Sequence, residues 1–189
     1  MQQQNTPSIF TRIGSGMIDY ACSTAIAILL SLPLMVSFIY QVHESSTENM
    51  APIPLEGPFL YLSIFGFSLF FSKDIMSARS IGKRLLQLQV RDIKSGEVAT
   101  PLQCFLRNIT LLVWPIELIM IIVNPTRRLG DFIAGTKVEY VHAGVPSYTS
   151  SFSRMLLPLS LAFVLTYSLY LPYKFLYKKS VQHQHINPS

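Results

Sequence analysis

An apolar run from about Ile18 to Val42, broken by one charged residue, Asp19, narrows the choice of fold more than any other feature of this chain. About 20 apolar residues cross the hydrocarbon core of a bilayer as a helix, so this run spans with some tilt. Further apolar stretches follow at Phe59 to Phe71, Cys104 to Val123 and Met155 to Leu171. Only 13% of the 189 residues are charged. That is roughly half the share of an average soluble domain and too little polar surface for water. The expectation is an all-α polytopic membrane protein with three to four membrane segments, one a candidate for re-entry, and a small cytoplasmic β-hairpin. Residues Met1 to Ser8 are polar and uncharged, and the apolar stretch after them is longer than a signal-peptide core, so it is expected to stay as an anchor.

Charge sets the topology. The loop from His43 to Gly57 holds Glu44, Glu48 and Glu56 and no lysine or arginine, and Pro52, Pro54 and Pro58 keep it irregular. The section after the second stretch holds Lys73, Arg79, Lys83, Arg84, Arg91 and Lys94. Basic loops stay in the cytoplasm, which puts the amino terminus and this section inside and the glutamate loop outside. Ile81 to Leu88 reads as a short amphipathic helix on the membrane surface. Its Lys83 and Arg84 would face anionic lipid or a partner, with Ile81, Leu85 and Leu88 buried. Gln87 to Ile93 alternates like a strand, and Lys94-Ser95-Gly96 turns it back into Glu97-Val98.

The third stretch has basic flanks on both sides, Arg107 before and Arg127, Arg128 and Lys137 after, and Pro115 removes a helix hydrogen bond near its middle. A re-entrant pair of half-helices accounts for both better than a plain crossing. It also leaves the strand-like Thr136 to Val141 on the same side as the 87–98 segment, free to pair with it. In the fourth stretch Pro158 suits a first helical turn. Tyr167, Tyr170, Tyr173 and Tyr177 suggest an aromatic belt at the far interface. The chain thus divides into a membrane domain (1–141), a linker (142–153), an additional C-terminal helix (154–179) and a polar tail (180–189).

The chemistry lies in charges at membrane depth. Asp19 falls about one turn inside the first helix, where an ionised carboxylate costs roughly 2.5–3.5 kcal/mol and so has a partner or a task. Arg12 is two turns earlier on nearly the same face, and both can address one partner. Arg128 and Asp131 stand at i, i+3 and can pair locally. Arg107 and Glu117 flank the break at Pro115; the plain alternative has Arg107 snorkelling and Glu117 interfacial. Arg12, Asp19, Arg107, Glu117, Arg128 and Asp131 are more charge than lipid tolerates unpaired, which predicts a buried or water-filled polar cluster between segments.

Other chemistries find no support. Cys22 and Cys104 are far apart and match no zinc spacing, and His183 and His185 sit in a polar tail, so no metal or cofactor is expected. Catalytic motifs are missing, among them Ser-His-Asp, HExxH and a phosphate-binding loop, and no enzyme is predicted. The net charge of +5 lies at the ends of apolar runs. Such placement suits anionic headgroups on the cytoplasmic side rather than nucleic acid.

The residues also carry a resemblance. Arg12 leading into Gly16-Met17-Ile18-Asp19-Tyr20 resembles the opening of the RDD family of bacterial membrane proteins, named for one arginine and two aspartates. Ser80-Ile81-Gly82-Lys83-Arg84-Leu85-Leu86, then Val90-Arg91-Asp92 and Gly96, is similar to that family's glycine-lysine segment and hairpin. Leu106-Arg107-Asn108 resembles its next element, and Arg127 to Val138 closes the match. The resemblance covers roughly residues 10 to 141 and leaves the fourth stretch outside. It implies that the family's arginine and first aspartate are Arg12 and Asp19, and its second aspartate Asp131. It also implies a bacterial inner-membrane location, and sodium–proton exchange has been proposed for some members. Two expectations follow. The first is an accessory, assembly or lipid- or partner-binding protein whose Arg/Asp cluster holds the segments together, as a homo-oligomer or within a partner membrane complex. The alternative is a proton-coupled monovalent cation carrier using Asp19 and Asp131.

Overall fold

The apolar run beginning at Ile18 is the inner part of a longer helix. In the computed structural model, which describes residues 6–44, 57–123, 127–141 and 151–186, helix α1 covers Ile9–Glu44. The Ser8 hydroxyl accepts the Thr11 N–H at 3.2 Å, a capping bond that starts the helix well before its apolar core. Asp19 is therefore nearly three turns inside the helix instead of one. At 1.5 Å per residue α1 reaches about 54 Å, more than a bilayer core requires.

Helix α2 (Pro58–Ser72) carries proline in its first turn, where the missing N–H does no harm. It packs on α1 through small residues. Gly66 lies against Ala27 and Leu30, and the Ser31 and Ser63 hydroxyls share a 2.7 Å hydrogen bond. The last helix, α7 (Phe152–Ile186), packs on α2, and buried Ala162 meets Phe71 and Phe105. Both α1 and α7 contain stretches long and apolar enough to cross a membrane, and α2 is a shorter apolar helix. The expected helix of 154–179 is thus longer at both ends and takes in 180–186 of the predicted polar tail. Pro158 and Pro172 lie inside it, so Pro158 is past the first turn. Tyr167, Tyr170, Tyr173 and Tyr177 form a ladder of ring contacts 6.2–6.5 Å apart, and Tyr61 of α2 stacks on its first member. The glutamate loop and most of the 142–153 linker lie outside the described residues.

Helix α3 is short (Ile81–Leu85), and strand β1 follows (Leu88–Asp92). The return turn exists: the Asp92 N–H donates to Glu97 O at 2.9 Å. It makes only one bridge, Arg91 to Val98, so the predicted hairpin is not a two-stranded unit. The partner of β1 is β2 (Thr136–Tyr140), antiparallel, with Leu88 opposite Tyr140 and Asp92 opposite Thr136. The alternation read at Thr136 to Val141 finds its pairing there. Val90 packs with Ala78, Ala99 and Cys104 beneath this two-stranded sheet.

The third apolar stretch is broken. Helix α4 (Pro101–Ile109) opens on a reciprocal Thr100–Gln103 capping box, a 3-10 turn covers Thr110–Val113, and α5 runs over Trp114–Val123. The interruption precedes Pro115, which is the second residue of α5 and free of any helical donor role. Helix α6 (Leu129–Ala134) then leads into β2.

Candidate functional site

One face of α1 presents Arg12, Ser15 and Asp19 to the other elements. The Asp19 carboxylate accepts the Gly82 N–H at 2.7 Å, the Ser80 hydroxyl, and Lys83 Nζ at 3.3 Å. It thereby satisfies one of the open N–H groups at the start of α3, that of Gly82. The approach requires glycine at 82, because a Cβ there would collide with Ser15 O. Lys83 reaches on to Asp74 Oδ1 at 2.8 Å. On the far side of Asp74, Oδ2 accepts Asn108 Nδ2 at 3.3 Å and faces Arg107 Nε at 3.9 Å. Arg107 Nη2 pairs with Asp131 Oδ1 at 3.3 Å, and Asp131 Oδ2 takes Arg12 Nη2 at 2.7 Å. The sequence Asp19–Lys83–Asp74–Arg107–Asp131–Arg12 alternates in sign throughout, and α1 joins its two ends into a ring.

A side branch leaves through Asn108. Its Oδ1 accepts Arg128 Nη2 at 3.1 Å, and Arg128 Nε faces Glu117 Oε2 at 3.6 Å. Glu117 Oε1 accepts the Thr110 hydroxyl and the Gly130 N–H, so one carboxylate ties the broken third stretch to the start of α6. Gly130 is there for the same reason as Gly82: a Cβ would sit on Arg107 O.

Asp74 and Asp131 are fully buried, Arg107 is 1% exposed and Lys83 5%. Taking such groups out of water costs several kcal/mol each, which close opposite charges and hydrogen bonds must offset. Burial by itself would raise Asp74, but Lys83, Arg107 and Lys73 outweigh it and hold the carboxyl well below the usual range. Asp131 is lowered in the same way, burial being overcome by Arg107, Arg128 and Arg12. Lys73 moves down to about 8, first through burial and then through Lys83.

The six cluster residues read from the sequence all belong to this network, with partners that differ from expectation. Arg12 and Asp19 engage opposite ends of the ring, Arg12 through Asp131 and Asp19 through Lys83. Arg128 offers Asp131 only its backbone N–H, at 3.3 Å, and sends its guanidinium to Asn108 and Glu117. Arg107 is enclosed and does not snorkel. Lys83, expected to contact lipid or a partner, points inward because Asp19 and Asp74 hold it. Ile81 and Leu85 lie on the outer surface of the protein, and Leu88 is enclosed within it. Arg84 remains on the surface, near the Met76 and Arg79 carbonyls. Asp74, Asn108 and Ser80 join the network without a sequence signal for membership, and Lys73 stands beside it in the wall of its cavity. All that marks Asp74 and Lys73 in the sequence is that they end an apolar run abruptly.

A cavity of about 440 Å³ opens onto the ring, with Arg12, Asp19, Lys73, Lys83, Arg107 and Arg128 in its wall. Among the described residues no group of three His, Cys, Asp or Glu is placed to hold a metal ion. The chain matches the family model described as the RDD family over residues 6–185. This extent passes the motifs of residues 10 to 141 and takes in the fourth apolar stretch. No curated protein and no solved structure matches.

Proposed function

Because the chain belongs to the RDD family, the matched region including the whole ion-pair ring, we propose that it is an accessory or assembly protein of the membrane that binds lipid or a partner complex, with the ring as the clasp between its segments. The observation that carries this reading is the completeness of the alternation: each carboxylate of the ring faces a cation. Asp74 and Asp131, held below the ordinary carboxylate range, stay ionised at neutral pH and are poor proton carriers. A specific feature favours the alternative of a proton-coupled monovalent cation carrier: the cavity reaches Asp19.

The proposal includes a topology. Pairing of β1 with β2 puts both ends of residues 93–135 on one side, which favours re-entry of the broken third stretch over a crossing. Helices α1, α2 and α7 are then the crossing segments. The basic residues of 73–94 favour a cytoplasmic sheet and amino terminus in a bacterial inner membrane.

Purified protein in liposomes, with internal pH followed after addition of sodium, lithium or potassium, decides between the readings. The expected result is no cation-driven proton movement from folded protein, and a lower melting temperature for Asp19→Asn. Proton movement that disappears in Asp19→Asn would reassign the chain as a carrier.

A further inference from the structure

Beside the cavity at the ring lies a second, of about 680 Å³, walled by Phe67, Phe70, Phe71, Leu111, Trp114 and Leu169. Tyr20, Lys73 and Arg128 line both. The first chamber is mainly cationic, with Asp19 its one carboxylate; the second is mostly aromatic and aliphatic, with Glu117 also in its wall, and two cations stand at their junction.

The cationic chamber has donors to spare. Arg107 is 1% exposed, yet its Nη1 has no hydrogen-bond partner, and Nε of Arg128 makes no hydrogen bond beyond its 3.6 Å ion pair with Glu117. Lys73 makes no ion pair or hydrogen bond among the described residues. Counting the branch, Arg12, Lys73, Lys83, Arg107 and Arg128 face Asp19, Asp74, Asp131 and Glu117, an excess of one cation. A buried donor left unmade costs about 1–3 kcal/mol, more when charged, so this arrangement calls for an anionic acceptor. Guanidinium and ammonium groups from several directions suit the oxygens of a phosphate. Lys73 directly follows the apolar helix α2, and the end of a crossing helix is where a basic residue meets lipid phosphates.

We propose that the two cavities together bind one phosphate-headed anionic membrane lipid, its phosphate among Lys73, Arg107 and Arg128 and its chain along Phe67, Phe70 and Trp114. This deepens the lipid-binding part of the function proposed above and rests on it.

Trp114 is the only tryptophan of the chain and stands on the wall of the chain-binding cavity, so its fluorescence reports occupancy. The full-length protein is reconstituted in phosphatidylcholine vesicles containing a few mole per cent of phosphatidic acid with brominated chains. Brominated phosphatidylcholine at the same fraction is the reference. Quenching by the phosphatidate should exceed the reference and saturate. Lys73→Gln, outside the ring and therefore expected to fold, should weaken the apparent affinity about tenfold, the value of one charge-assisted hydrogen bond. Arg84→Gln removes an exposed charge and should leave it unchanged. Equal quenching by the two lipids, or an Arg84→Gln effect as large as that of Lys73→Gln, overturns the proposal. So does complete protection of Trp114 by millimolar inorganic phosphate, which would make this a site for the free ion. Failure here with no cation-driven proton movement leaves the accessory role standing without this ligand. Proton movement in the liposome assay removes the accessory role itself.

Discussion

Asp74 lies between Lys83 Nζ at 2.8 Å and Arg107 Nε at 3.9 Å, with Asn108 on its second oxygen. Its folded pKa is below its unfolded one, so its contribution to stability is complete above the ordinary carboxylate value of about 3.9 and is lost as pH falls toward the folded value. Asp131 has the same sign. Melting temperature in detergent is therefore expected to be flat from neutral pH to about 5 and to fall below about 4. Asp74→Asn should lower the plateau and shallow the acid limb. An unchanged acid limb would remove Asp74 from the account. Single residues were only partly legible in advance. Asp19 and Arg107 stand out as charges inside apolar stretches, Arg12 as the cation two turns before Asp19, and Asp131 as the i, i+3 neighbour of Arg128. Lys73 and Asp74, one and two residues past such a run, look like ordinary flanking charges, because nothing local separates a solvated aspartate from one that the fold later encloses.

The elements show where local signals prevail and where tertiary contacts override them. Small residues on α1 and α2, the capping box of α4 and the break ahead of α5 all follow from the chain itself. The orientation of α3 does not. From the sequence Lys83 is expected to face phosphates, but a carboxylate from α1 caps the helix and draws that lysine inward. Gln87 ends this element in the left-handed region, φ 54°, which glycine adopts freely and other residues adopt at a cost of roughly 1–2 kcal/mol. Its side chain is exposed. Gln87→Gly should raise stability by about 1 kcal/mol, read as a higher midpoint in thermal or denaturant melts. A lower midpoint would mean that the side chain makes a contact worth more than the strain. The return turn after β1 is legible from Lys94-Ser95-Gly96 and the partner strand from the alternation at Thr136 to Val141; the register between them, set across the broken third stretch and α6, is not.

Across the whole molecule, the sheet, the broken third stretch and α1 converge on one buried network; its charges announce such a cluster, but the pairing that runs through Lys83 and Asp74 arises only when the elements meet. It also sets an order of events during synthesis. Arg12 belongs to the first helix to leave the ribosome, while its acceptor Asp131 lies 119 residues later and Lys83, the partner of Asp19, 64 later. At translation rates of about 5–20 residues per second, Arg12 waits roughly 6–24 s for its counter-charge. A chain stopped after α5 should therefore never complete its ring and should be cleared by membrane proteases, whereas one carried through β2 should persist; pulse-chase labelling of the two truncations measures the difference. Equal lifetimes would mean that the first helices mature without it. The ring thus gives the newborn protein a late checkpoint, in which the arrival of α6 tells the first helix that the rest of the membrane domain has been made.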